Sequence, residues 1–342
     1  MEEARAQLIE LTRGSTHDGP GMRTTVFLKG CSLACLWCQN PEGMQSQQDI
    51  WWERRKCIRC YSCIGACTVG ALTEDEGGIC RNRQKCTLCG LCVEACPSVA
   101  WSFTGQEWEM DALVKEVLKD REYYRSFGGG VTVSGGEPLS QYRFVAEFFR
   151  RLENAGIHTA LDTCGMAPAS SLEAVLPHTA HVLFDLKILD SEIHKALTGQ
   201  TNALILENLE IVADAVRKAN HEKLQGEKGR KGLWIRTPLI PGATASRENI
   251  GAISRFLLSH YADVVARWEL CAFNNACCSK YEKMGLKWTY ESEALMERKT
   301  VESLKAVALS EGMPGHVLVV SGLSSGRDEQ HCHIGRSSGR ER

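Results

Sequence analysis

The chain has 342 residues, 43% of them hydrophobic, and a formal net charge of −2. A length of this order carries about two domains and an ample core, and the near-neutral balance leaves no electrostatic footprint of nucleic acid or of an anionic membrane. No apolar run approaches the roughly 20 residues of a membrane span. The charged start Met1-Glu-Glu-Ala-Arg also lacks the apolar stretch of a signal peptide, so a cytoplasmic location is expected. Seventeen cysteines then call for metal rather than disulfides, which a reducing compartment disfavours. Eleven of them fall into three motifs. Cys80, Cys164, Cys271, Cys277, Cys278 and Cys332 have no ligand spacing and read as small, partly buried apolar residues.

In chain order, residues 7–12 and 23–29 are extended, with the turn-dense segment Thr16-His-Asp-Gly-Pro-Gly-Met-Arg23 between them. Directly after the second strand stands Cys31-Ser-Leu-Ala-Cys35-Leu-Trp-Cys38, at the carboxyl strand end where parallel α/β folds put their chemistry. A four-iron, four-sulfur cluster takes four thiolates in all. Three cysteines leave one iron open, as a catalytic metal site does for its substrate. A zinc or disulfide cluster is the competing reading. Residues 51–102 hold an internal repeat, Cys57-x2-Cys60-x2-Cys63-x3-Cys67 and Cys86-x2-Cys89-x2-Cys92-x3-Cys96-Pro97, with Thr68 where the second run has proline.

From about residue 103, helical and extended stretches alternate. Helices are expected at 110–126, 139–156, 201–220, 246–261 and 291–311, and strands at 131–134, 158–162, 181–187, 233–239 and 267–273. With strand 23–29 this makes six strands in βαβ units, hence a parallel sheet rolled by right-handed crossovers into a barrel or partial barrel. Residues 225–232 read as a solvated loop, and Ser324–Arg342 as a disordered tail. Ser134-Gly135-Gly136-Glu137-Pro138 ends a strand in paired glycines, which allow close backbone approach to a ligand, and an acid suited to an ammonium group. Asp162-Thr163 and Asp185-Leu186-Lys187 put charges at apolar strand ends, where they need partners. Gly128-Gly-Gly130 is not a dinucleotide fingerprint.

On these residues the sequence resembles the radical S-adenosylmethionine (SAM) superfamily, and within it the activating enzymes of glycyl radical enzymes, over roughly residues 7–321. The resemblance implies a partial parallel (β/α)6 barrel over 1–50 and 103–322, with a ferredoxin-like insert at 51–102 and a tail at 323–342. It implies three [4Fe-4S] clusters. Cys31, Cys35 and Cys38 hold the SAM-binding one. In the insert, the bacterial two-cluster ferredoxin pattern gives Cys57, Cys60, Cys63 and Cys96 to one cluster, and Cys86, Cys89, Cys92 and Cys67 to the other. SAM would meet Trp37, Gln39, Gly135, Gly136, Glu137, Asp162, Asp185, Leu186, Lys187, Arg236 and Asn274 (or Asn275, where some relatives carry histidine), with Lys187 also in the catalytic set. Oxygens near the Asp-x-Lys triplet would hold a monovalent cation. Asp18-Gly-Pro-Gly-Met-Arg23 matches the segment that positions the target's glycine loop.

The implied activity is reductive cleavage of SAM to a 5′-deoxyadenosyl radical that takes a hydrogen from a glycine of the partner. That partner would be a glycyl radical enzyme such as isethionate sulfite-lyase, choline trimethylamine-lyase, a dehydratase or a benzylsuccinate- or alkylsuccinate-type synthase. Flavodoxin or ferredoxin would supply the electron. The competing functions are a radical SAM enzyme acting on a small molecule or peptide, and an electron-transfer iron–sulfur protein.

Overall fold

A computed structural model describes residues 5–223 and 231–325. The expected loop at 225–232 and tail from 324, like Cys332, fall mostly or wholly outside these residues. Nine strands form one sheet: β1 (Arg5–Ser15), β2 (Arg23–Leu28), β3 (Gln106–Glu109), β4 (Gly130–Gly135), β5 (His158–Thr163), β6 (His181–Asp185), β7 (Gly232–Leu239), β8 (Val265–Ala272) and β9 (Leu318–Ser321). Their order is β9-β8-β7-β6-β5-β4-β2-β1-β3. From β2 to β9 every pairing is parallel, whereas β1 pairs antiparallel with both β2 and β3. This is the expected α/β fold with a mostly parallel sheet, and its order leaves two unpaired edges, so the barrel is partial.

All six expected strands are present: β2 and β4 carry near-continuous apolar or β-branched runs covered on both faces, whereas β7 alternates buried and half-buried positions. β9 escaped notice because it is four residues long with one fully buried side chain. β3, Gln-Glu-Trp-Glu, is an exposed edge strand held to β1 partly by Arg5 on Glu107 and Glu109. The helix expected at 110–126 is two, Met110–Leu118 and Arg121–Phe127. Between them, Asp120 is drawn away by Arg13 and by the Thr24 hydroxyl at 2.7 Å. The last expected helix begins only at Arg298. Short helices at Ala169–Val175 and Ser191–Thr198 add to the outer layer. Among the described residues no helix is long and apolar enough to cross a membrane.

Residues 49–104 leave and rejoin this frame through an antiparallel pair, Asp49–Trp52 with Trp101–Thr104. They enclose a small core of Ile50, Leu72, Ile79 and Trp101 with Cys63 and Cys92. The two cysteine runs fold alike. Residues flanking the middle cysteine are left-handed in both, Arg59 and Tyr61 at φ 54° and 59°, Leu88 and Gly90 at 58° and 82°. Three residues past the last cysteine, Gly70 and Val99 repeat the same conformation at 58° and 53°. The amides of Ala71 and Ala100 each donate to the sulfur of Cys67 and Cys96 at 3.2 Å. Left-handed backbone at non-glycine residues costs about 1 kcal/mol or more each, so it persists where the surroundings demand it.

The Gly128–Gly130 tract has a packing explanation. A Cβ on Gly129 would lie 1.7 Å from the Met22 carbonyl oxygen, and one on Gly21 would lie 2.4 Å from the Gly128 carbonyl. The Asp18–Met22 turn thus seats directly on the tract. Gly129→Ala should destabilise the protein by about 3 kcal/mol or more, as an overpacked backbone contact. Gly128→Ala, which meets open space at φ +62°, should cost only about 1 kcal/mol from its left-handed backbone. Anaerobic urea denaturation of both variants checks the order.

Candidate active site

A cavity of about 350 Å³ opens at the carboxyl ends of the parallel strands. Its wall contains Cys31, Cys35, Trp37, Cys38, Gln39, Gly135, Gly136, Asp162, Asp185, Lys187, Arg236 and Asn274, so twelve positions picked from sequence converge on one space. Glu137 and Leu186 do not line it. Asn275 points elsewhere, its amide donating to the Glu293 carbonyl at 3.1 Å. Asn274 is at the wall, with its side-chain oxygen accepting from the Ala276 amide at 3.1 Å. Asp18, Ser134, Cys164 and Cys271 also line the cavity without having been picked for it.

The cysteine loop is hung on backbone hydrogen bonds to two other segments. Gly30 and Cys31 donate to Gly43 and Met44 carbonyls at 2.8 and 3.1 Å, and Ala34 and Leu36 donate to Thr198 and Leu197 at 2.8 and 3.1 Å. A brace from residues 274–288 closes it from the other side. The Tyr281 hydroxyl donates to the Cys38 carbonyl at 3.0 Å and the Trp288 indole to the Leu36 carbonyl at 3.1 Å. Lys280 pairs with buried Glu42 at 2.6 Å. Tyr281 and Trp288 stack with centroids 5.4 Å apart. Nothing in the spacing of residues 274–288 signals this role, since every contact joins positions far apart in sequence.

Gly135 and Gly136 are required by the neighbouring backbone. A Cβ on Gly135 would lie 2.3 Å from the Leu28 nitrogen, and one on Gly136 would lie 2.3 Å from the Gly30 carbonyl oxygen. The Gly136 and Glu137 amides donate to Leu28 and Gly30 carbonyls, each at 2.7 Å. Glu137 is buried behind the wall. Its carboxylate accepts from the Leu139 amide at 3.0 Å, the Thr163 hydroxyl at 2.7 Å and the Cys164 amide at 2.8 Å. The carboxylate expected to face a ligand ammonium therefore holds the end of β5 to the end of β4. Leu186 is core, and only its backbone serves the site, donating to the Arg236 carbonyl and accepting from the Thr237 hydroxyl.

Charges in the wall are paired and mutually tuned. Asp162 accepts from Ser134 at 2.7 Å and from Arg236 at 3.0 Å. Burial pushes its pKa up to about 6, against the pull of Arg236 and with help from Asp185 and Asp18. Burial disfavours the Lys187 ammonium, but Asp185 at 2.5 Å and the nearby thiols outweigh it, so Lys187 holds its proton more tightly than usual. Burial raises Cys35 to about 11 and Cys38 to about 12, with Lys187 the cation that opposes it at Cys35. Burial keeps Cys35 and Cys38 neutral while a hydrogen bond with Cys164 lowers Cys31; all three become ligands when a cationic centre takes up their charge, so this donor set fits an iron–sulfur cluster. The Arg236 Nε is buried without a protein partner and suits an anionic group of a ligand.

The class that this fold and cavity define is the radical SAM superfamily, whose model matches residues 77–248, while a 4Fe-4S binding domain model matches 55–70. An isethionate sulfite-lyase activating enzyme of Desulfovibrio desulfuricans is 35% identical over 314 residues, 90% of this chain and 95% of that protein. A trans-4-hydroxy-L-proline dehydratase activating enzyme of Clostridioides difficile is 38% identical over 88% of this chain and 94% of its own length. A benzylsuccinate synthase activating enzyme of Thauera aromatica is 33% identical, covering 94% and 95%. The chain belongs to the glycyl radical enzyme activating enzymes, a family that works with an iron–sulfur cluster and SAM. Among solved structures, a domain of pyruvate-formate lyase-activating enzyme from Bacteroides vulgatus ATCC 8482 aligns over 57% of this chain and 99% of that one, at 25% identity and a TM-score of 0.43.

Trp288→Phe removes one donor from the Leu36 carbonyl while keeping the aromatic stack. It should speed iron loss from the three-cysteine loop to a chelator roughly fivefold, the equivalent of about 1 kcal/mol. Decay of the SAM-responsive electron paramagnetic resonance (EPR) signal of the reduced protein measures it.

Proposed function

We propose that this chain activates a glycyl radical enzyme of the C–X lyase class, using Cys31, Cys35 and Cys38 to hold the SAM-binding cluster. The observation that carries the reading is the convergence of these thiols with Asp162, Asp185, Lys187 and Arg236 in one cavity at the carboxyl strand ends. A four-iron, four-sulfur cluster held by Cys31, Cys35 and Cys38 would supply the single electron for reductive cleavage of SAM to methionine and a 5′-deoxyadenosyl radical, which would take one Cα hydrogen from a glycine of the partner. Gly135 and Gly136 offer only backbone to the ligand's amino group. Arg236, oriented by Asp162, offers its unpartnered Nε to an anionic group. Lys187 stays an ammonium, so it positions an anion and stabilises thiolate; it does not serve as a base. Asp185 and Asp18 lie close enough to raise the Asp162 pKa, and with Asp162 they would offer carboxylate oxygens to a monovalent cation.

Two further clusters sit in residues 49–104 in this reading. A narrow cavity lined by Cys67, Cys86, Cys89 and Cys92 supports the crossed ligand set. Electrostatic contact of Cys96 with Cys60 and Cys63 supports the other set. Clusters held there would carry electrons from a flavodoxin or ferredoxin toward the three-cysteine loop, or tune the potential of the cluster in it.

Anaerobic reconstitution should yield about twelve irons per chain, three clusters of four. Cys38→Ala should abolish 5′-deoxyadenosine formation, and Cys60→Ala should leave the SAM-responsive EPR signal in place. SAM cleavage that survives in Cys38→Ala sinks the assignment. A pH series gives an independent check. Asp162 is proton-bound below about pH 6 and ionised above it. Since its folded value lies above the unfolded one, this carboxyl stabilises the fold at low pH, and that contribution is lost as pH rises through about 6. Binding of SAM, a cation, should tighten over the same rise, and Asp162→Asn should flatten the titration measured by calorimetry.

A further inference from the structure

We propose that the outer face of the first cysteine run, Arg54 to Tyr61 with Val99, is the docking surface for an acidic one-electron carrier protein, and that electrons enter there and not at the second run. This rests on the reading that both runs hold clusters. The two runs share one backbone geometry, so corresponding positions can be compared directly, and their surfaces differ. Arg54, Arg55, Lys56, Ile58 and Arg59 are all exposed in the first run; at the matching positions the second run has Arg83, Gln84, Lys85 and Thr87, also exposed, and half-buried Leu88, so it carries two cations where the first carries four. Arg83 is committed inward, to Asp49 and to the Met284 carbonyl at 3.1 Å, and Leu88 packs on the small core. The second run therefore has one of its two cations paired and no exposed apolar side chain at these positions, while the first presents Ile58 among four cations.

The first face also has the layout of a recognition surface, an apolar centre within a polar rim. Ile58 is 65% exposed and Val99 64%, beside exposed Cys60. The Cys96 thiol, three residues before Val99, lies within electrostatic reach of Cys60, which brings these positions together. Val99 is a β-branched residue in left-handed backbone at φ 53°, and its counterpart in the first run is Gly70. On the second side, Cys89 is exposed too, but the apolar side chains around it, Val69 and Leu91, are less exposed, at 42% and 37%.

Acids flank the first face without neutralising it. Glu53 is held by Lys56 at 2.8 Å, Glu74 accepts from the Tyr61 hydroxyl at 2.5 Å, and Asp75 feels Arg54. Arg55 and Arg59 remain directed at solvent on a chain whose net charge is −2. Such a local cationic rim recruits an anionic partner by steering its encounter.

The test uses the reconstituted full chain and compares a reduced acidic flavodoxin with dithionite as electron source, reading 5′-deoxyadenosine formation. Arg55→Glu with Arg59→Glu should slow the flavodoxin-driven rate about tenfold at low salt, and the wild-type rate should fall with added salt. Dithionite-driven rates should stay within about twofold of wild type, and Lys85→Glu should change neither rate by more than about twofold. The milder Arg55→Gln with Arg59→Gln should fall between, which guards against a misfolded reversal variant. An unchanged flavodoxin rate overturns the proposal. So does an equal loss in Lys85→Glu, a parallel loss with dithionite, or a loss confined to glycyl radical yield, which would give this face to the activated enzyme. Failure of the wild type to cleave SAM with dithionite would instead strike the reading of the function itself.

Discussion

Two short hydrogen bonds set the geometry on which the site depends. The amides of Gly136 and Glu137 reach the carbonyls of Leu28 and Gly30 at 2.7 Å, so the ends of β2 and β4 meet with no side chain between them. The approach is possible because neither Gly135 nor Gly136 has a Cβ to place against that backbone. Glu137 extends the tie to β5 by accepting from Thr163 and Cys164. Three strand ends thus become one wall, and the cysteine loop starts from it at Gly30. Burying a carboxylate is costly unless it is hydrogen-bonded. Here three donors satisfy Glu137, and burial still pushes its pKa up.

The wall concentrates charge that would be unfavourable in isolation. Asp162 and Arg236 form one pair and Asp185 and Lys187 another, and each pair leaves some capacity unmet, most plainly the Arg236 Nε. Breaking a buried pair by removing one member costs more than the pair contributes. The arrangement is therefore held by its own mutual dependence, and a ligand carrying both an ammonium and a carboxylate meets partners of both signs already oriented.

What could be read in the sequence was what lies close together along the chain. Cysteine spacing in Cys31–Cys38 and in the two runs is local, and the strand-end positions of Asp162 and Asp185 follow from apolar runs that stop there, whereas Arg236 lies inside β7 and is legible only through the resemblance. The illegible part is long-range. Gly128–Gly130 carries no motif until the Met22 carbonyl is found against it. Glu137 reads as a ligand-facing acid, because the sequence cannot show that β5 brings Thr163 and Cys164 to its carboxylate. Cys164 and Cys271 lack ligand spacing and were read as apolar filling, yet both stand in the cavity wall. Strand β1 and the edge strand β3 pair across the whole insert, a separation that no local pattern records.

The insert is tied to the cysteine loop through one short helix, Cys278–Met284. On one side of it Tyr281 donates to the Cys38 carbonyl and Lys280 holds Glu42. On the other, the Met284 carbonyl accepts from Arg83, and Lys283 lies 5.1 Å from the centroid of Trp51. A helix of two turns has little freedom to move one set of contacts without the other, since packed interiors transmit small displacements and do not absorb them. Residues 49–104 are accordingly part of the support of the Cys31–Cys38 loop as well as a neighbour of it. This geometry gives a physical reason for the two runs to share a backbone and differ in charge: Arg83 of the second run is committed to Asp49 and the Met284 carbonyl, while Arg54 at the matching position of the first run is exposed.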